Sequence, residues 1–144
     1  MPSPDSATPF LRHATRDDVP HIHSLIHLLA AYEHATSSVV ATPASLTNTL
    51  SFPPFPSPGY ARCMLLFAPS DAAQPAGMAL YFFNYSTWRG APGVYVEDLF
   101  VREEYRGRGY GGRLLAEMAR VVKGVGGGRL EWSVLKWNEP SIRF

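Results

Sequence analysis

The sequence predicts an α/β sandwich: a mixed, mostly antiparallel sheet flanked by helices. Three observations carry that expectation. Two near-continuous apolar runs, Tyr60 to Ala68 and Gly77 to Tyr85, flank the turn Pro69 to Pro75 and read as a hairpin. A third run, Val94 to Val101, is rich in Val, Tyr and Phe and free of Gly and Pro. It leads through a glycine-rich turn into an amphipathic helix, in which Leu114, Met118, Val121 and Val122 form one stripe.

In chain order, Phe10 to Ala14 reads as a short first strand. Thr15 caps the helix that follows, with Asp17 and Asp18 in its first turn, where the dipole favours negative charge, and Pro20 just inside. Ile22, Leu25, Ile26, Leu29 and Tyr32 make its apolar stripe. His23 and His27 stand four apart and form half of a zinc pattern. No Glu follows His23 and no cysteine pair is present, so a solvated helix face is expected there. Ser37 to Pro58 reads as a loop, proline-rich from Ser51 to Pro58. That stretch suits either a surface loop or a docking motif for an aromatic groove, the loop being the better fit. Trp88 to Gly93 makes a turn into the central strand. Gly124 stops the second long helix, Gly126 to Gly128 form a turn, and Leu130 to Leu135 reads as a strand. Asn138 or Glu139 would cap a last helix, with Pro140 near its first position.

Length and composition bound the function. At 144 residues, 46% hydrophobic and 17% charged, the chain is of one-domain size and globular in composition. A net charge of +1, without a Lys/Arg cluster outside the glycine turn, argues against a nucleic-acid or anionic-membrane partner. Cys63 stands alone in an apolar run and reads as a buried structural thiol. Residues 1–9 are polar and Pro-rich and read as a disordered N-terminus without the features of a signal peptide. With no apolar run near the ~20 residues of a spanning helix, a cytoplasmic protein is expected.

The chemistry concentrates in Arg106-Gly-Arg-Gly-Tyr-Gly-Gly112. A glycine-rich turn opening a helix offers backbone N–H groups and a positive dipole end to an anion, so a phosphate or pyrophosphate site is indicated. The P-loop ending Gly-Lys-Ser/Thr is absent. Gly107-x-Gly109-x-x-Gly112 matches the dinucleotide fingerprint, with Glu131 near the distance of its ribose contact, but a polar run separates it from the strand.

Arg106-x-x-Gly109-x-Gly111 fits better. It resembles the pyrophosphate loop of the GNAT N-acetyltransferases, which bind acetyl-coenzyme A. Tyr95-x-Glu97-Asp98-x-Phe100-Val101, Tyr105-Arg-Gly107, Trp137-Asn-Glu-Pro-Ser-Ile142, Ala31-Tyr-Glu33 and Tyr81-Phe-Phe-x-Tyr85-x-x-Trp88 resemble the diamine (spermidine/spermine) acetyltransferase branch. The segments occur in family order and cover about residues 10–144, the expected acetyltransferase domain.

The resemblance implies a GNAT fold, in which the strand around Glu97 carries a bulge and splays from Leu130–Leu135. Leu99, Phe100 and Val101 would present their backbone to the pantetheine arm and thioester. Arg106, Gly107, Arg108, Gly109, Tyr110, Gly111 and Gly112 would hold the pyrophosphate, and Asn138, Glu139, Pro140 and Ser141 would line the far side. Glu97 is the candidate base and the Leu99 N–H the candidate oxyanion donor. Tyr32, Glu33, Trp88 and Asp98 would grip a cationic amine, Glu97 and Asp98 being expected on opposite faces of a regular strand. No metal is called for. The expected activity is acetyl transfer to a primary amine of a small diamine, polyamine or lysine-like substrate, in a homodimer. Three departures stand out: Ser86 replaces the branch's acidic residue two before the tryptophan, the Ser37 to Ala44 region lacks acidic residues, and the family's tyrosine acid would come immediately after Phe144. The chain is therefore expected to be truncated, without the last strands. A non-catalytic acyl-coenzyme A-binding remnant and a proline-rich interaction module remain the alternatives.

Overall fold

The computed structural model describes residues 8–133. In chain order the elements are β1 (Phe10–His13), α1 (Val19–Tyr32), α2 (Pro43–Thr49), β2 (Arg62–Phe67), β3 (Gly77–Ser86), β4 (Ala91–Val101), α3 (Tyr110–Gly124) and β5 (Leu130–Trp132). The strands lie side by side in that order. The first three pairings are antiparallel, and β5 runs parallel to β4. A parallel neighbour needs a crossover, which α3 supplies.

Two apolar layers sandwich the sheet. Cys63, Leu65, Phe67, Met78 and Leu80 meet Ile22, Leu25 and Leu29 of α1 and Leu46 of α2 on one face. Met64, Leu66, Ala79, Tyr81, Val94 and Val96 meet Leu114, Met118 and Val122 of α3 on the other. Alternation along β2 and β3 distributes the two sets, which is why both strands read as continuous apolar runs. The Cys63 thiol is buried, and that burial, with the charges of Asp98 and Asp18, pushes its pKa up. It is an inert core group.

The mixed sheet, the central hairpin and the crossover helix agree with the sequence expectation. The loop expected over Ser37 to Pro58 differs, because it contains α2. Thr42 caps that helix: its Oγ1 accepts the Ser45 N–H at 3.1 Å, and Ser45 Oγ accepts the Thr42 N–H at 2.9 Å. Pro43 sits at the first position, where its missing N–H costs nothing. At two turns, α2 buries only Leu46 and has no room for a periodic stripe. The proline-rich stretch is docked on its own chain. Phe52 is buried, and Phe55 lies under the Arg62 guanidinium at 3.7 Å and against the His13 ring at 4.9 Å. The strand expected over Leu130 to Leu135 is observed as far as Trp132; its end, the helix start near Asn138 and residues 1–7 lie outside the described residues.

A single buried carboxylate joins β1 to α1. Thr15 caps a 3₁₀ turn, Arg16–Asp18, that runs directly into α1, with Asp17 and Asp18 in its first turn as expected. Asp18 is only 6% exposed. It accepts from Arg12 at 2.6 and 3.1 Å, from the Thr15 N–H at 2.8 Å and from the Thr15 hydroxyl at 3.2 Å. The Arg12 hydrogen bond holds its carboxyl below the ordinary 3.8 against the opposing effect of burial. A depressed folded-state pKa gives stability that is present above the unfolded pKa and lost as the pH falls through the folded one. Asp18→Ala, which strands Arg12 and the Thr15 N–H, should cost about 3 kcal/mol at pH 7 and progressively less below pH ~4. Urea melts at both pH values measure this; an equal loss at both would mean that packing, not charge, is what Asp18 supplies.

Candidate active site

The site begins with a miscount between two strands. Leu80 faces Asp98, but Tyr81 faces Val96, so Glu97 has no opposite residue on β3. One extra residue is a β-bulge, and it reverses the alternation of everything beyond it. The hydrogen bonds show the reversal. The Val94 N–H bonds Arg129 O on the β5 side, whereas the Arg102 N–H bonds Ala76 O on the β3 side. These residues are eight apart, an even number, so a regular strand would aim them the same way. After the bulge, the backbone groups of Leu99 and Val101 face away from β3. Side chains follow suit: Val94 and Val96 pack on the α3 face, and so do Leu99 and Val101, while Phe100 joins the α1 face. The described pairing of β4 with β5 covers Val94 to Val96, leaving the turned segment without a β5 partner among the described residues.

A cleft of about 710 Å³ opens there. Its floor is Val96 to Val101, one wall is Leu29, Tyr32 and Glu33 at the end of α1, and the other is the loop from Tyr105 into α3. Trp132 and Ser133 close the β5 side. Glu97 and Asp98, expected on opposite faces, both line this cleft, because the bulge takes Glu97 out of the alternation.

Three carboxylates, Glu33, Glu97 and Asp98, line the cleft. Burial, reinforced by the charges of Glu97 and Glu33, pushes the Asp98 carboxyl up to about 6. Glu33 is the residue that terminates α1, so its charge sits at the negative end of the helix dipole. Nothing in helix stability calls for an acid at that place.

The loop wall favours anions. Gly109 is the N-cap of α3, and both it and Gly107 hold φ at 79°, the left-handed conformation that favours glycine. The Arg113 N–H bonds Gly109 O, so the N–H groups of Tyr110, Gly111 and Gly112 precede the first intrahelical bond. A Cβ built at Gly107, Gly109 or Gly112 meets nothing within 4 Å, so the turn borders open space. The residues present therefore fit a pyrophosphate: bare N–H groups, a dipole end and room for the group. Arg106 lines the cleft and also braces the loop. Its Nε donates to Val101 O at 3.0 Å, and its guanidinium lies over the rings of Tyr32 at 4.7 Å and Phe100 at 5.5 Å. It ties the loop to the floor and to α1. Arg108 lies over Tyr105, and Tyr105 stacks on Tyr110.

Of the residues singled out in the sequence, Tyr32, Glu33, Glu97 to Val101, Arg106, Gly107, Gly109, Tyr110 and Gly111 line one cleft. Arg108 and Gly112 adjoin the lining residues without being among them, and Trp88 is remote. It is 99% exposed at the tip of the β3–β4 hairpin, roughly 23 Å of strand from Asp98 by rise per residue. Asn138, Glu139, Pro140 and Ser141 lie outside the described residues. Sequence reasoning missed Leu29, Val96, Tyr105, Trp132 and Ser133 as lining residues: Leu29 and Val96 read as core positions of α1 and β4, and the other three carry no charge or motif role that marks a site. Among the described residues, no group of three or more His, Cys, Asp or Glu is placed to hold a metal.

A family model described as the acetyltransferase (GNAT) family matches residues 28–144. An L-ornithine N5-acetyltransferase of Arabidopsis thaliana is 34% identical, over 93% of this chain and 75% of its own. A thialysine N-epsilon-acetyltransferase of Bos taurus is 34% identical, over 92% and 78%. Among solved structures, an aminoglycoside acetyltransferase from a soil metagenomic sample, in complex with sisomicin, superposes with a TM-score of 0.75. It covers 94% of this chain and 84% of its own, at 14% identity, which speaks for the fold alone.

The raised pKa of Asp98 has a consequence for stability. Its carboxyl is easier to protonate folded than unfolded, so the folded state binds the extra proton between pH 3.8 and about 6. Ionised Asp98 therefore destabilises the fold, fully above about pH 6 and not at all below the ordinary carboxylate range. Asp98→Asn should raise stability at pH 7.5 by roughly 1–3 kcal/mol and change it little at pH ~4. Thermal melts at the two pH values decide; a loss of stability at pH 7.5 would mean the carboxylate is paired.

Proposed function

This chain belongs to the GNAT family of acetyltransferases, and we propose that it transfers the acetyl group of acetyl-coenzyme A to a primary amine of a small diamine, polyamine or lysine-like amino acid. The observation that carries the reading is the lining of one cleft. An anion-seeking helix start and a group of three carboxylates line the same cleft, whose floor includes the turned backbone of Leu99 and Val101. The relatives named for ornithine and thialysine, both amino acids with a second amine, favour the same substrate class.

The acyl donor supplies a thioester, and its phosphates fit the Gly107–Gly112 turn. The chain's own residues do the rest. Glu33, Glu97 and Asp98 attract an alkylammonium, whose pKa of about 10.4 leaves it almost wholly protonated at neutral pH. An ammonium has no lone pair, so a carboxylate must take its proton before attack. Glu97, unpaired at the bulge, is one candidate. Asp98 is the stronger one, because a base works best with its pKa near the operating pH. The amine then attacks directly, and no covalent intermediate on the protein is required. The Leu99 N–H, aimed into the cleft by the bulge, is suited to receive negative charge on the carbonyl oxygen.

Two measurements test this. Calorimetry should show coenzyme A binding, weakened at least tenfold by Gly111→Leu, a better helix former that crowds the phosphate path; equal affinity would remove the turn from the site. With an ornithine or diamine substrate, kcat/KM should fall as the pH drops through about 6, the value set by Asp98. Asp98→Asn should erase that inflection. If Glu97→Gln erases it instead, the base is Glu97.

A further inference from the structure

On the surface of α1, away from the acidic cleft, His23 and His27 converge. Their Nε2 atoms are 3.2 Å apart, and His23 Nε2 is also 3.1 Å from the carbonyl oxygen of Ala41, on the segment entering α2. The rings meet edge to face, with centroids 4.5 Å apart. Two lone-pair atoms thus face His23 Nε2, and as a neutral ring it has a single proton to share between Ala41 O and His27 Nε2. One hydrogen bond satisfies only one of these contacts well.

We propose that this is a binding site for a divalent transition-metal cation of the zinc, nickel or copper class, held by His23 Nε2, His27 Nε2 and the Ala41 carbonyl, with water completing the shell. The spacing suits it. Two nitrogens 3.2 Å apart, each about 2.1 Å from a shared ion, subtend roughly 100°, between the tetrahedral and square-planar angles. An i, i+4 pair on one helix face is the spacing by which helices present two imidazoles to one ion. Neutral imidazole is a ligand for zinc, copper and nickel, whereas magnesium and calcium prefer oxygen. The Ala41 carbonyl makes the site more than a helix feature. It ties α1 to the 34–42 segment, whose other end leaves α1 at Glu33, a wall of the cleft. A bound ion would fasten that segment at both ends. The site is independent of the catalytic reading, and none of its three ligand residues lines the cleft.

The test uses the full chain without a histidine tag, zinc and nickel salts as probes, and magnesium as the control. Zinc at a hundredfold excess over its Kd should raise the melting temperature by roughly 5–10 °C, and magnesium should not. His27→Gln, at an exposed position, should abolish the shift while leaving the metal-free melting temperature unchanged. Copper bound to the wild type should show two nitrogen ligands by electron paramagnetic resonance, reduced to one in His27→Gln. No shift at millimolar zinc, or a shift that survives His27→Gln, would overturn the proposal.

Discussion

The site depends on one extra residue in β4. If Glu97 had a partner on β3, Leu99 and Val101 would bond across the sheet and Phe100 would turn to the other layer. Instead the bulge reverses the strand, and it does so without loss of packing. Leu99 and Val101 still pack beside Val94 and Val96, and Phe100 still reaches the α1 layer. The core accepts the reversal, and backbone groups are released from the sheet where a ligand can meet them. Gly77 belongs to the same arrangement. It opens β3 opposite Val101, and a Cβ there would lie 2.6 Å from Phe100 O, so the strands can approach this closely only with glycine at that position.

Carboxylates and an anion-seeking helix start then line one cleft. Two carboxylates at the same sheet show how differently burial can be used. Asp18 is surrounded by donors and is held ionised by Arg12, so it strengthens the junction of β1 and α1. Asp98 has like charges for neighbours and is pushed toward neutrality, so it weakens the fold it belongs to. A charge retained against stability is what a site for a cation requires, since the incoming ammonium relieves the repulsion. At the glycine turn the backbone itself favours an anion. The helix start and two glycines in left-handed conformation present N–H groups directly, and Arg106 serves as a brace between loop, floor and α1.

Much of this was legible in the chain. Strand, glycine turn and helix in succession signalled the anion site, because each has its own composition and spacing. The family resemblance carried the carboxylates and the coming bulge. Alternation by itself pointed the wrong way, placing Glu97 and Asp98 on opposite faces, since a bulge leaves no periodic mark in a sequence. Trp88 was grouped with the site on motif alone, and chain geometry places it at the far end of a long hairpin. The helix α2 was hidden because one buried leucine makes no pattern, although its Thr42-Pro43 start was readable. The His23–His27 pair was visible at its spacing, but its third partner, Ala41 O, is a backbone atom that only the fold brings near.

Amide hydrogen exchange along β4 tests the central claim most directly. In the free protein, the Leu99 and Val101 amides should exchange much faster than those of Asp98 and Phe100, which the reversal turns toward β3. Saturating coenzyme A should slow Leu99 and Val101 while leaving their neighbours unchanged. Uniform protection from Val94 to Val101 in the free protein, with no change on adding coenzyme A, would contradict the account.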